Sequence, residues 1–474
     1  MKKSPQRTKP KIKYLLLCNC TLLIVFLVLL GTLFLSENNH ARRQEQDTAA
    51  SSIQTEESLQ QSQKTEENLQ HIQKQEENNL SAKEPGQNES QPGPDIPLNN
   101  QESNKALLQQ QVPENSEAIL QQQIQDKIAS MTLEEKAAQL FIITPEALTG
   151  LPSVTKAGED TRTALSKYPV GGLIFFESNI QSRQQMTEML KKQQEYSRER
   201  IGLPLFLSVD EEGGQVTRIA SVLGSEVEIF PDISEIGAAQ DASRAFQLGD
   251  AIGEYLGGMG FNLDFAPVAD VLTNPDNTVV KRRSYGSSPQ NVSEMVKSNL
   301  EGLQSHQIYG CIKHFPGHGA TEGDTHQGYA YTEKSWEELK SNDIVPFQDS
   351  IEWGVKFVMV GHISLPQVTG NDTPASLSSY VIGRLLREEL GYDGIVLTDA
   401  LNMKAVTDQY DSSQAAVKAI LAGNDMILMP KDFQSAYQGI LEAIENGVIS
   451  QERLDESLRR ILELKMCQQG GSHE

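Results

Sequence analysis

The chain has 474 residues and a formal net charge of −23, which argues against a nucleic-acid partner. Of its four cysteines only Cys311 and Cys467 lie outside an apolar N-terminal run, so no disulfide framework is expected. The fold must be held by burial.

Residues 1–13 carry Lys2, Lys3, Arg7, Lys9, Lys11 and Lys13 with no acid. Tyr14 to Leu35 follow as an apolar run broken only by Asn19, Thr21 and Thr32, long enough to span a bilayer as a helix. A cleavable signal peptide has a similar basic start, but this run is too long and no small-x-small site follows before Ser36-Glu-Asn-Asn. Cys18 follows Leu-Leu-Leu rather than the small residue expected before a lipidated cysteine. The expectation is an uncleaved anchor over residues 14–35. The basic flank keeps 1–13 in the cytoplasm and places the rest outside a single-pass cell-membrane protein.

Residues 36–118 are dominated by Gln, Glu, Asn, Ser and Lys, with near-repeats Thr-Glu-Glu-Ser-Leu-Gln-Gln and Thr-Glu-Glu-Asn-Leu-Gln-His. Such a segment cannot bury a core and reads as a spacer. Residues 119–467 read as one globular domain, followed by a tail over 468–474.

The globular part opens with the capping box Thr132-Leu-Glu-Glu135 and then alternates apolar strands with amphipathic helices. Strands are predicted at Gln139–Thr144, Gly172–Phe176, Leu205–Asp210, Asn262–Val268, Gly310–His314, Phe357–His362, Gly394–Asp399 and Asp425–Pro430. Helices are predicted between them, at Ser182–Arg198, Ala242–Gly257, Ser335–Glu352, Ser378–Leu390 and Ser413–Leu421, and a last one at Ser450–Lys465. Continuous Val/Ile/Leu strands separated by helices imply parallel order, and eight such units imply an α/β fold of the (β/α)8 TIM type. An open doubly wound sheet is the alternative, disfavoured by the strand count.

The densest chemistry lies in Lys313-His-Phe-Pro-Gly-His-Gly-Ala-Thr-Glu-Gly-Asp-Thr-His326, which gathers three of the chain's eight histidines with Lys313, Glu322 and Asp324. Polar residues also end other apolar strands: Asp210, His362 and Asp399. In such a barrel these positions form the catalytic mouth. A carboxylate that closes a buried strand is costly unless it is paired or functional.

From about Ala129 to Lys465 the chain resembles the family 3 glycoside hydrolases, in particular their bacterial β-N-acetylglucosaminidases. The resemblance is carried by Met131-Thr-Leu-Glu-Glu-Lys-Ala-Ala-Gln-Leu140, Val209-Asp-Glu-Glu-Gly-Gly-Gln-Val-Thr-Arg218, Asn262-Leu-Asp-Phe-Ala-Pro-Val-Ala-Asp270, Arg283-Ser-Tyr285, Lys313-His-Phe-Pro-Gly-His-Gly319 and Thr398-Asp-Ala-Leu-Asn-Met403. It implies that Asp399 is the nucleophile of a retaining mechanism and that Asp324 and His326 form its acid/base pair. It also implies that Asp210, Arg218, Arg283, Lys313 and His314 bind the non-reducing sugar. Arg282 is an alternative to Arg283, and Gln215 stands where relatives commonly have Arg. His318 and His362 fall on motif positions with no catalytic role expected.

The implied activity is exo-hydrolysis of terminal β-linked GlcNAc, from peptidoglycan fragments given the outward topology, by a monomer that needs no cofactor or metal. Rival readings are a family 3 β-glucosidase or β-xylosidase, a phosphorolytic variant, metal-dependent hydrolysis through His314, His318, Asp324 and His326, and a non-catalytic wall-binding protein.

Overall fold

The computed structural model describes residues 114–470 with the exception of His326. The basic segment, the anchor predicted over 14–35 and most of the spacer lie outside these residues. Among the described residues no helix is long and apolar enough to cross a membrane.

All eight predicted strands form: β1 (Phe141–Ile143), β2 (Gly172–Phe175), β3 (Phe206–Val209), β4 (Leu263–Asp264), β5 (Tyr309–Phe315), β6 (Phe357–Val360), β7 (Ile395–Thr398) and β8 (Ile427–Leu428). Nearly every strand residue is buried, as expected when both faces of a sheet are covered. The strands pair in parallel in sequence order. The ring closes where β8 pairs with β1, Phe141 opposite Ile427, and where Leu397 bridges Met426 between β7 and β8. This is the barrel that the run of eight buried strands implies. Two short strands outside the ring, Ala330–Tyr331 and Ile363–Ser364, pair with each other beside the mouth.

The helices follow the amphipathic segments, with local corrections. The capping box of Thr132 and Glu135 is present at the helix Leu133–Ala138, and Ser182 caps the helix Arg183–Ile201 by accepting the Gln185 N–H. The predicted helix Ser335–Glu352 is two helices, Trp336–Ser341 and Val345–Trp353. Pro346 is the reason: it lacks an N–H and its ring opposes the carbonyl four residues back, so it is tolerated only in a helix's first turn. The helix Glu114–Ser130 begins within the span read as spacer. It presents Leu120, Ile124 and Ile128 to the core and packs against the last helix, Gln451–Gly470.

At the amino ends of β1 and β2 the barrel is plugged by Lys465 from that last helix. Its fully buried ammonium donates to Gln139 Oε1 at 2.7 Å and the Gly171 carbonyl at 2.8 Å, and lies 5.0 Å from the centre of the Phe206 ring. Burial pushes this amine well below the ordinary lysine range.

Candidate active site

At the opposite, carboxyl ends of the strands lies a line of alternating charges. Asp210, directly after β3, accepts from Lys313 Nζ at 2.8 Å, and the same ammonium lies 2.7 Å from Glu212 Oε1. Glu212 is held in turn by Arg283, whose Nε and Nη2 donate to its two oxygens at 2.7 and 2.6 Å. Burial works to raise the Glu212 pKa, but Arg283 and Lys313 outweigh it and hold the carboxyl well below the usual range. Lys313 and Glu212 are almost fully buried, whereas Asp210 keeps 20% of its side chain exposed at the mouth.

The backbone sends the two adjacent arginines to different places. Arg283 enters the buried cluster, while Arg282 is 63% exposed and bonds Asp232. Arg218 takes a rim position, with Nη1 on Glu177 at 2.8 Å and the guanidinium 5.6 Å from the centre of the Phe176 ring.

His314, next to Lys313 on β5, places Nδ1 2.7 Å from Asp270 Oδ2. The other oxygen of Asp270 accepts the backbone N–H of His314 at 3.2 Å and of His318 at 2.6 Å. Asp270 thereby orients His314 and fixes the start of the loop that leads to Asp324. His318 is buried, with its ring edge-on to that of His314. Burial, then the neighbouring His314, pushes its pKa down to about 4, against the carboxylates of Asp270 and Asp399.

Asp399 takes its place from both flanks. Its backbone N–H donates to the Val360 carbonyl at 2.9 Å, and its Oδ1 accepts the Ala400 N–H at 2.7 Å. His362 steadies the same turn, with Nε2 3.0 Å from the Ala400 carbonyl and Nδ1 2.7 Å from Ser376 Oγ. Asp324 lies on the loop beyond His318, where its carboxylate accepts from Gln327 Nε2 at 2.9 Å. It lines a polar cavity of about 740 Å³ with Glu322, Gln327 and Tyr329. His326 lies outside the described residues.

Asp210, Arg283, Lys313, His314 and Asp399 thus share one end of the barrel, with Arg218 at the rim and Asp324 on the loop that follows β5. Glu212 and Asp270, which the sequence reading did not single out, tie them together. Each had a signal: Glu212 belongs to three consecutive acids closing an apolar strand, and Asp270 closes Ala-Pro-Val-Ala. Among the described residues no group of three or more His, Cys, Asp or Glu is arranged to hold a metal ion. In this structure His314 turns Nδ1 to Asp270, and both His318 nitrogens face threonine hydroxyls. The mouth can bind a polyhydroxylated ligand through charged donors and acceptors and present the Asp399 carboxylate to it.

Comparison with known proteins identifies the family. The Glycosyl hydrolase family 3 N terminal domain matches residues 132–464. The chain is 31% identical over 325 residues to Beta-hexosaminidase A of Pseudoalteromonas piscicida, an alignment covering 64% of this chain and 54% of that protein. It is 31% identical over 345 residues to the Beta-hexosaminidase LpqI of Mycobacterium tuberculosis, covering 71% of this chain and 84% of that one. The structure of a glycoside hydrolase family 3 beta-N-acetylglucosaminidase from Paenibacillus sp. str. FPU-7 superposes with a TM-score of 0.68 at 36% identity, over 73% of this chain and 64% of the other. Two of these relatives therefore extend well beyond the part that this chain matches. With a family match over most of its length and the strand-end residues gathered at one mouth, the chain belongs to glycosyl hydrolase family 3.

Proposed function

We propose that the chain is a retaining exo-β-N-acetylglucosaminidase, acting on terminal non-reducing β-linked GlcNAc through a covalent glycosyl-Asp399 intermediate. The observation that carries the reading is the Asp210–Lys313–Glu212–Arg283 cluster at the mouth that Asp399 also borders. Such a cluster offers a sugar's hydroxyls both charged donors and an acidic acceptor. The names of the relatives, hexosaminidases and an N-acetylglucosaminidase, support the GlcNAc preference.

In this reading the Asp399 carboxylate attacks the anomeric carbon while the glycosidic bond breaks, and the departing oxygen takes a proton from His326. Asp324 orients that imidazole and favours its charged form. The neutral ring then accepts a proton from the water that opens the glycosyl ester, with net retention. The apolar run over 14–35 supports attachment to the cell membrane with the barrel outside, where peptidoglycan fragments would be the substrate.

Activity on aryl β-N-acetylglucosaminides, β-glucosides and β-xylosides tests the substrate. A preference for either of the latter two overturns it. Asp399→Ala should abolish turnover on every substrate. His326→Ala should lose roughly 10²- to 10⁴-fold on poor leaving groups and much less on a nitrophenyl glycoside, since general-acid help is least needed there. An equal loss across leaving groups in the glycosylation step would remove His326 from the acid role. Turnover that requires added inorganic phosphate and yields a sugar phosphate would make the enzyme a phosphorylase.

A further inference from the structure

His318 forms a continuous hydrogen-bonded path between the sugar-site histidine and the loop that carries Asp324. Its backbone N–H is on Asp270 Oδ1, and Asp270 Oδ2 is on His314. Its Nδ1 is 2.9 Å from Thr321 Oγ1, and its Nε2 is 3.4 Å from Thr325 Oγ1. Thr325 is buried, and its carbonyl accepts the N–H of Ala405 at 3.3 Å, on the segment that follows Asp399. Thr325 is also the one residue between Asp324 and His326.

We propose that His318 is a positioning residue of the reaction, holding Thr325, and with it the chain between Asp324 and His326, against the Asp399 side of the mouth. This rests on the acid/base reading of Asp324 and His326. The hydrogen-bond roles are consistent with it. Thr321 Oγ1 donates to the His318 carbonyl at 2.8 Å, so it accepts from Nδ1–H. Asn277 Nδ2 reaches the same carbonyl at 2.8 Å and the same hydroxyl at 3.2 Å, completing that side. Nε2 is left as the acceptor for the Thr325 hydroxyl. That role requires an uncharged ring, which burial maintains.

The approach that makes this possible needs a glycine. A Cβ on Gly319 would lie 2.0 Å from the Val271 carbonyl oxygen, so only glycine lets the Asp270–Val271 backbone close on His318. A histidine serving only the core would need its burial, and not a hydroxyl partner in the catalytic loop.

The test uses the full-length protein, Thr325→Val, His318→Gln and the control Thr325→Ser, on aryl β-N-acetylglucosaminides of graded leaving-group acidity. Thr325→Val keeps the shape and removes the hydroxyl. Its kcat should fall about threefold to tenfold on poor leaving groups, the value of one neutral hydrogen bond. Change should be less than twofold on the nitrophenyl glycoside and in KM. Thr325→Ser should restore the wild-type pattern, and His318→Gln should repeat the graded loss from the other side. A uniform loss, no loss, or a change confined to KM overturns the proposal. If His326→Ala shows a graded loss and neither Thr325→Val nor His318→Gln does, the positioning role alone fails. If His326→Ala is not graded, the acid reading and the positioning role fail together.

Discussion

Between Arg282 and Arg283 the backbone turns so that one guanidinium reaches outward to Asp232 and the other inward to Glu212. Arg283→Ala should therefore lower stability by an amount near the low end of roughly 3–5 kcal/mol, since Glu212 keeps Lys313 as a partner. It should also lower kcat/KM about tenfold or more if Arg283 holds sugar hydroxyls. Arg282→Ala should stay within about 0.5 kcal/mol of the parent. Thermal melts and kinetics of the two variants decide the matter, and equal effects would contradict it. The motifs bring Asp210, Lys313 and His314 forward as candidates, but three adjacent acids look alike in a sequence and differ here. Asp210 meets Lys313, and Glu212 lies between Lys313 and Arg283. Glu211 turns away to accept three backbone N–H groups, from Arg218 to Ala220, and the Tyr255 hydroxyl. Turn geometry assigns those roles. His318 carries a pH prediction as well. Its pKa drops from 6.5 to about 4 on folding, so its neutral form stabilises the protein fully above about pH 6.5, and this contribution is lost as pH falls toward 4. The melting-temperature gap between wild type and His318→Gln should narrow from pH 7 to pH 4. A constant gap would rule out burial of a neutral ring.

The strands were legible because burial on both faces leaves long Val/Ile/Leu/Phe runs, and helix starts were legible where Thr or Ser caps them. The helix Glu114–Ser130 was not, because its Gln-rich sequence shows only Leu120, Ile124 and Ile128 as a narrow stripe. That stripe nevertheless defines a boundary. Removal of residues 1–112 should leave a folded domain with unchanged turnover, since the spacer lacks the apolar residues to join a core. Removal through Ser130 should lower the melting temperature, because Ile124 and Ile128 are both buried and each contributes about 1.5–3 kcal/mol. Equal melting of the two truncations would show the helix to be dispensable.

The order of eight buried strands made the barrel readable before any coordinate, but how its first and last helices meet depends on packing that no motif encodes. Those helices, Glu114–Ser130 and Gln451–Gly470, lie together. Lys127 of the first bonds the Ile201 carbonyl that ends the helix before β3, and Lys465 of the second plugs the amino ends of β1 and β2. Asp399, Lys313 and Asp210 sit at the other, carboxyl end of the barrel, directly after β7, on β5 and directly after β3. Both terminal helices are therefore fastened to the barrel on the face away from Asp399, Lys313 and Asp210, so loosening either one opens the barrel from its floor and not from its mouth.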